Sequence, residues 1–259
     1  MNVRDYFNAT QSIEGWFFPI DAHLFATIDV LQKRMNVRGN LFEIGVHHGK
    51  TAIFLAHLAS PDERLGVCDV FDQQELNVDH SGAGSRDLFE KNMRVHAHAV
   101  NLQVFAKPSS LLTTEDTTTI CRFFHIDGGH RPHDAYTDLE TADRALLPQG
   151  VVAVDDVFNP NWPGVSEGVY RFLWERPNVF APILIGGNKV LFTRPSMTQN
   201  YRIEGLPQDA PFYLGEKEWL GYPVPTVVRR AWVDLDPLEA ARLHFIPRTW
   251  RDRVLRYFL

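Results

Sequence analysis

The sequence contains little cysteine, no long hydrophobic run and no excess of positive charge. Its 259 residues include two cysteines, Cys68 and Cys121, inside or beside apolar runs, which is typical of buried reduced thiols. No run approaches the roughly 18 apolar residues that a membrane-spanning helix needs. The first residues also lack the apolar core of a signal peptide. We therefore expect a soluble, cytoplasmic protein.

The charge balance excludes a general nucleic-acid binder. Net charge is -6 at neutral pH, whereas a protein that grips a phosphate backbone needs a basic face. Apolar residues make up 44% of the chain, enough for a full core at this length. The length predicts one large domain, or one domain with an appendage.

Short apolar runs alternate with segments of helical periodicity. This alternation predicts an α/β fold, a Rossmann-like, doubly wound and mostly parallel sheet. Strands are predicted at 41–45, 64–70, 102–105, 123–127 and 151–154. Helices are predicted at 24–31, 51–58, 87–99, 135–146 and 169–174, with Pro148 to Gly150 stopping the one that begins at 135. Residues 181–185 and 189–192, joined by a glycine turn, predict a closing antiparallel hairpin.

The same pattern divides the chain into three parts. Residues 1–39 form an N-terminal helical segment, whose aromatics around Trp16 act either as a lid or as core packing. Residues 40–195 form the α/β domain. From residue 196 to 259 the alternation gives way to proline, glycine and aromatic residues, which predicts a C-terminal extension.

Two of the predicted strands end in acid. Asp127 closes the fourth, and Asp155 with Asp156 closes the fifth. Carboxyl ends of adjacent parallel strands lie about 5 Å apart, so these carboxylates, with His130 at the rim, are expected in one crevice. Three crowded carboxylates require a cation. Both aspartates of the fifth strand can face one ion only if the strand has ended there.

A glycine loop follows the first strand and opens a helix. Gly45 and Gly49 allow close approach of a ligand to the backbone. The stretch from Gly45 to Thr51 is one residue short of a phosphate-binding P-loop, and Glu43 before it would repel a triphosphate. Asp69, about twenty residues farther on, suits the acid that holds ribose hydroxyls. Glu43 and Asp69 together suit S-adenosylmethionine, which carries an amine, a sulfonium and a ribose diol.

The order E-x-G-x-x-x-G, a strand-end Asp, D-G-x-H and D-D resembles class I S-adenosylmethionine-dependent methyltransferases. More narrowly, residues 40 to 195 resemble the metal-dependent O-methyltransferases of natural-product sugars, the macrocin O-methyltransferase-like group. The resemblance implies that Asp127, Asp155 and Asp156 hold a divalent cation, Mg²⁺, and that His130 is the general base. It also implies that Ser109 lies near the adenine. His47 and His48 in the glycine loop, and the long C-terminal segment, depart from the family pattern.

The leading hypothesis is therefore a metal-assisted O-methyltransferase acting on a sugar, glycan or polyol-like small molecule. A P-loop-like nucleotide hydrolase and a non-catalytic cofactor-binding or assembly protein are the alternatives. Residues 248–259 carry four arginines and one aspartate on an amphipathic pattern. This end either contacts a membrane surface or docks on its own domain or a second subunit. We expect a homo-oligomer.

Overall fold

The computed structural model describes residues 3–117, 121–203 and 212–229. The helices in these ranges are α1 (Val3–Thr10), α2 (Pro19–Arg34), α3 (Lys50–Leu58), α4 (Arg86–His96), α5 (Pro132–Ala145) and α6 (Pro163–Glu175). The strands are β1 (Asn40–Ile44), β2 (Arg64–Asp69), β3 (Asn101–Ala106), β4 (Cys121–Ile126), β5 (Leu146–Val154), β6 (Ala181–Gly186), β7 (Lys189–Thr193), β8 (Phe212–Trp219) and β9 (Tyr222–Arg229). Short 3-10 helices occur at Gln74–Leu76, Ser109–Leu111 and Pro195–Tyr201.

All the described strands belong to one sheet, in the order β3-β2-β1-β4-β5-β7-β6-β9-β8. Strands β1 to β5 are parallel, and β7 runs antiparallel to β5 and to β6. The predicted mostly parallel sheet with an antiparallel hairpin is confirmed. The strand order reverses between β1 and β4, and ligands of open α/β sheets bind beyond the carboxyl ends of the strands at such a point.

Apolar side chains cover the sheet on both faces. Within β1 and β4, Leu41 and Phe123 join the core cluster that includes Phe25 of α2, while Phe42 and Phe124 join the cluster on the opposite face. Burial of one such phenylalanine contributes about 1.5–3 kcal/mol. Strands buried on both faces read as continuous apolar runs, which is why the sequence predicted them well.

The start of β5 differs from the prediction. Helix α5 ends at Ala145 and β5 begins at once at Leu146, so the stretch from Pro148 to Gly150 does not stop the helix as expected. The pairing explains the difference. Cys121 of β4 pairs with Leu146, and the next partners are Phe123 and Val151. The intervening residues of β5 form an irregularity inside the strand.

The sheet continues past residue 195. Strands β8 and β9 form a hairpin, and β9 pairs with β6 through Ile185–Thr226 and Gly186–Val227. The basic end at 248–259 lies outside the described residues. The three-part division of the chain, like its docking end and its oligomeric state, stays a prediction. Among the described helices, none has the length and apolar content needed to cross a membrane.

Candidate active site

A cavity of about 530 Å³ opens beyond the carboxyl ends of the parallel strands. Seven of the nine predicted site residues line this cavity. The predicted site residues that line it are Gly45, Asp69, Ser109, Asp127, His130, Asp155 and Asp156. Trp16 and Phe18, from the segment before α2, also line it, so the N-terminal aromatics do reach the cavity.

The glycine loop is in direct backbone contact with the acid-bearing loop after β4. Gly45 has φ +81°, and a Cβ built on it would lie 1.8 Å from the carbonyl oxygen of Asp127. Only glycine fits there. Gly49, with φ +90°, precedes α3, and a Cβ on it would meet the Phe89 ring at 3.0 Å. Gly49 is therefore required for packing, and it does not line the cavity.

Asp69 holds the glycine loop in place. Its Oδ2 accepts hydrogen bonds from the backbone N–H groups of Val46 (2.7 Å) and His47 (2.8 Å), and its Oδ1 accepts one from Phe71 (2.6 Å). A carboxylate offers about four acceptor sites, so capacity remains for a ribose hydroxyl. The two loop N–H groups already face a negative charge, which disfavours a phosphate there.

Glu43 does not reach the cavity, contrary to the expectation that it binds a cofactor amine. In the sheet it is the register partner of His125, and its Oε1 lies 2.9 Å from His125 Nδ1. Both side chains are completely buried. Burial, followed by the charge of Asp127, raises the pKa of Glu43 well above its usual range. Its position inside the central strand β1, paired with His125, keeps it in the core.

The three predicted metal ligands all line the cavity, and Asp127 belongs to two groups of possible ligands. Asp127 follows β4, and Asp155 and Asp156 follow β5. Asp156 adopts a left-handed backbone, φ +60°, which breaks the strand alternation and lets both neighbours face the cavity. Possible ligand atoms of Asp127, His130 and Asp156 lie within 4.8 Å of one another, as do those of His125, Asp127 and Asp155. Burial and the charge of Asp155 raise the pKa of Asp127 well above its usual range.

A buried lysine that the sequence analysis missed pairs with one of these acids. Lys189, at the start of β7, forms a salt bridge with Asp155, and both side chains are buried. Asp21 of α2 lies close by. Burial raises the pKa of Asp21 to about 6, although Lys189 opposes the shift. Nothing in the hairpin sequence marked Lys189, because an isolated lysine in a strand is ordinarily exposed.

The carboxylates fit a hard divalent cation. Lys189 compensates Asp155, but Asp127 has no salt bridge among the described residues. Magnesium prefers carboxylate oxygens and retains several waters. Asp127 and Asp156 present carboxylate oxygens at the wall of an open cavity, which leaves room for such waters. The donor set therefore agrees with the predicted metal site.

His130 lies between two acids. Its Nδ1 is 2.8 Å from Asp79 Oδ2, which also accepts from the His130 backbone N–H at 2.6 Å, and its Nε2 is 3.1 Å from Asp156 Oδ2. Trp162 stacks on the ring at 4.1 Å. Burial lowers the pKa of His130, but the hydrogen bonds to Asp156 and Asp79 outweigh it and raise the pKa to about 9. Asp79 was not predicted, since it lies in an irregular loop without a motif.

Asp156 is held from its other side by two amides. Its Oδ1 accepts hydrogen bonds from Asn159, at 2.7 Å, and from Asn188 in the β6–β7 turn. Neither asparagine was among the predicted site residues. These amides fix the direction of a carboxylate that the sequence left open.

Ser109 begins the 3-10 helix after β3 and lines the cavity, as expected for a residue near the adenine. Behind it lies Asp138 of α5, fully buried, whose two oxygens have no well-aligned hydrogen-bond partner among the described residues. Burial raises the pKa of Asp138 to about 7, with the nearby Ser109 hydroxyl opposing the shift. Contact of Ser109 with an adenine stays a prediction.

Comparison with known proteins supports this interpretation of the fold. Residues 42–157 match the sequence model of a family described as a methyltransferase domain. The solved O-methyltransferase NovP is 17% identical, with a TM-score of 0.54 over 67% of this chain and 80% of NovP. The SAH-bound methyltransferase PaMTH1 of Podospora anserina is 12% identical, with a TM-score of 0.52 over 74% of this chain and 87% of that one. No curated protein sequence matches the chain.

A putative caffeoyl-CoA O-methyltransferase from Staphylococcus aureus is also similar, at 13% identity and a TM-score of 0.50 over 73% of this chain and 88% of that chain. At these identities the solved structures show a shared fold, and the family match covers the glycine loop, Asp69 and the acidic strand ends. Residues 42–157 therefore match a methyltransferase domain, and the described part of the chain shares the fold of these solved methyltransferases.

Proposed function

We propose that this methyltransferase transfers the methyl group of S-adenosylmethionine to a hydroxyl of a sugar, glycan or polyol-like small molecule, assisted by a divalent cation. The observation that carries the proposal is the convergence of Asp127, His130 and Asp156 on one wall of the cavity, beside the glycine loop. Methyl transfer to oxygen requires removal of a proton, and this wall offers both a base and acids that can hold a cation.

The cofactor side of the cavity is formed by the glycine loop, Asp69 and Ser109. Asp69 is proposed to bind the ribose diol with its remaining acceptor capacity, as the strand-end acid does in dinucleotide-binding folds. The negative wall suits a ligand that carries an ammonium and a sulfonium. The same charge, together with the occupied loop N–H groups, argues against the P-loop hydrolase alternative.

Asp127, Asp155 and Asp156 are proposed to hold the cation, with Mg²⁺ the best match to their oxygen atoms. A cation bound there would lower the pKa of the acceptor hydroxyl and orient it. Lys189 forms a buried salt bridge with Asp155, which fixes the direction of that carboxylate. The two asparagine amides do the same for Asp156.

His130 is proposed to accept the proton at Nε2. Asp79 bonds Nδ1 and fixes the ring, the relation of base and orienting group that general-base catalysis requires. In the structure Nε2 also bonds Asp156, and a pKa of about 9 keeps the ring protonated at neutral pH. Proton acceptance therefore requires that the Asp156 bond opens while the Asp79 bond stays.

The rim of the cavity is apolar on one side. Trp16, Phe18, Leu76 and Val78 line it and are partly exposed. Aromatic faces beside carboxylates suit an acceptor that combines an apolar body with hydroxyl groups. This supports a sugar or glycoside as acceptor over a purely charged metabolite.

Calorimetry with S-adenosylhomocysteine, ATP and GTP, with and without Mg²⁺, tests the cofactor. We expect binding of S-adenosylhomocysteine alone. Tight binding of ATP or GTP would contradict the proposal in favour of a nucleotide hydrolase.

Turnover of labelled S-adenosylmethionine on a panel of glycosides tests the reaction. Asp127→Asn should abolish Mg²⁺-dependent transfer, and Asp62→Asn, which changes an exposed acid between α3 and β2, should not. Cofactor binding without transfer to any hydroxyl acceptor would favour a non-catalytic binding protein. Full activity of Asp127→Asn in a chelator would remove the metal from the proposal.

A further inference from the structure

A second cluster of ligand-type side chains includes one residue of the cavity wall, His47. Glu14 precedes α2, and His47 and His48 belong to the glycine loop. One ligand atom from each lies within 4.8 Å of the other two. We propose that Glu14, His47 and His48 form a separate binding site for a borderline divalent cation of the Zn²⁺ type, which fastens the N-terminal segment to the glycine loop.

The distances fit a shared ion better than a direct contact. His48 Nδ1 and Glu14 Oε2 are 3.7 Å apart, which is too long for a hydrogen bond. Bonds of about 2.0–2.1 Å to a tetrahedral zinc place ligand atoms about 3.3 Å from each other. Small rotations of the exposed Glu14 side chain, 70% accessible, bridge the remaining difference. The two imidazole rings lie face to face, with centroids 3.8 Å apart and planes tilted by 34°, so the His48 ring has to turn away from His47 for both to bind one ion.

His47 provides an independent observation. Its Nδ1 is buried and has no well-aligned hydrogen-bond partner among the described residues, although a buried polar atom without a good partner is costly. Its left-handed backbone, φ +49°, is fixed by the hydrogen bond from its N–H to Asp69 at 2.8 Å. Trp16 packs against the ring, with centroids 5.4 Å apart. The nitrogen is thus held in place and left for a ligand.

The donor types separate this site from the acidic wall. Two imidazoles and one carboxylate suit Zn²⁺ and neighbouring transition metals, whereas the oxygen donors of Asp127 and Asp156 suit Mg²⁺. Three protein ligands leave one position open for water. The segment that carries Glu14 also contacts the start of α3, because Lys50 Nζ donates to the carbonyl of Gly15 at 3.3 Å. A bound ion would therefore fix Trp16 and its part of the cavity wall.

Zinc binding to the full chain tests the site without any need for activity. The starting protein is Asp127→Asn/Asp156→Asn, which removes the acidic site, checked for folding by circular dichroism. We expect one equivalent of Zn²⁺ by calorimetry, not displaced by excess Mg²⁺, and visible absorption bands when Co²⁺ replaces Zn²⁺. In this background Glu14→Gln, His48→Gln and His47→Asn should each weaken Zn²⁺ binding by more than about tenfold, since even changes to groups behind a metal ligand cost that much.

His98→Gln, which changes an exposed histidine after α4, should leave the affinity unchanged. Absence of Zn²⁺ binding in the starting variant would overturn the proposal, and so would equal affinity in the three ligand variants. His48 is buried, so the folding of His48→Gln is checked by circular dichroism. Glu14→Gln changes an exposed side chain, and His47→Asn introduces a residue that tolerates a left-handed backbone. If His48→Gln does not fold, the Zn²⁺ affinities of these two variants test the site.

Discussion

The contact between Gly45 and Asp127 predicts that one methyl group in the glycine loop will disturb the acidic wall. In Gly45→Ala the new Cβ would lie 1.8 Å from the carbonyl oxygen of Asp127 and 2.5 Å from its carbonyl carbon. Backbone atoms of a central strand end cannot rotate away, so the loop or the strand end has to shift. The left-handed φ of +81° adds about 1–2 kcal/mol of backbone strain.

Overpacking typically costs a further 1–3 kcal/mol or more. We therefore expect Gly45→Ala to lower the free energy of unfolding by about 2–5 kcal/mol. The protein offers a matched control. Gly221, in the turn between β8 and β9, has φ +76°, and a Cβ on it would meet nothing within 4 Å. Gly221→Ala carries the same backbone strain without the clash, so it should cost about 1–2 kcal/mol.

Urea unfolding of the three proteins measures both costs, and calorimetry with S-adenosylhomocysteine and Mg²⁺ measures the effect on the cavity. Gly45→Ala should weaken the binding of both ligands, because the glycine loop and Asp127 move together. Gly221→Ala should change neither affinity. Equal losses of stability in the two variants would refute the reasoning from the clash. Normal Mg²⁺ binding in a folded Gly45→Ala would refute the coupling between the glycine loop and Asp127.

Three further predictions concern buried acids. Asp155→Asn leaves Lys189 without its salt bridge and should lower the free energy of unfolding in urea by about 3–5 kcal/mol. Asp127→Asn removes a carboxylate whose pKa is already raised, so it should cost less than about 1 kcal/mol. A larger loss in Asp127→Asn than in Asp155→Asn would contradict this order. The pKa of Asp138, raised to about 7, means that its contribution to stability is complete below about pH 4 and is lost as the pH rises towards 7. Asp138→Asn should remove that decline and be more stable than the unmodified protein above pH 7 by up to about 4 kcal/mol. If the free energy of unfolding changes with pH in the same way in both proteins, Asp138 does not have this role. Asp79→Asn should lower kcat by about 10–100-fold with unchanged cofactor affinity, and a change confined to KM would show that it only shapes the pocket.

Much of the fold could be predicted because the central strands are buried on both faces. The runs around Leu41, Phe123 and Val151 are continuous and apolar, and their order with the helices determines a parallel sheet. The start of β5 could not be predicted in this way. A proline and a glycine ordinarily end a helix, but the pairing of Leu146 with Cys121 decided the boundary, and such pairing leaves no local signal.

The candidate site, like the fold, could be predicted from the sequence only in part. Acids at strand ends are visible in the sequence because topology brings strand ends together, so Asp127 and Asp156 were found. Glu43 was misplaced because its side chain depends on its register partner, His125. Asp79 and Lys189 come from a loop and a later hairpin, and only the folded chain brings them to the cavity.

The position of Lys189 also bears on where this chain can be divided into fragments. The methyltransferase match ends at residue 157, but the cation that pairs with Asp155 is on β7, beyond that limit. A fragment cut at residue 157 would bury Asp127 and Asp155 with no lysine between them. Removal of one partner from a buried pair costs about 3–5 kcal/mol, a large share of the stability of an ordinary domain. Expression trials that dissect this chain should therefore retain at least residues up to the end of β7.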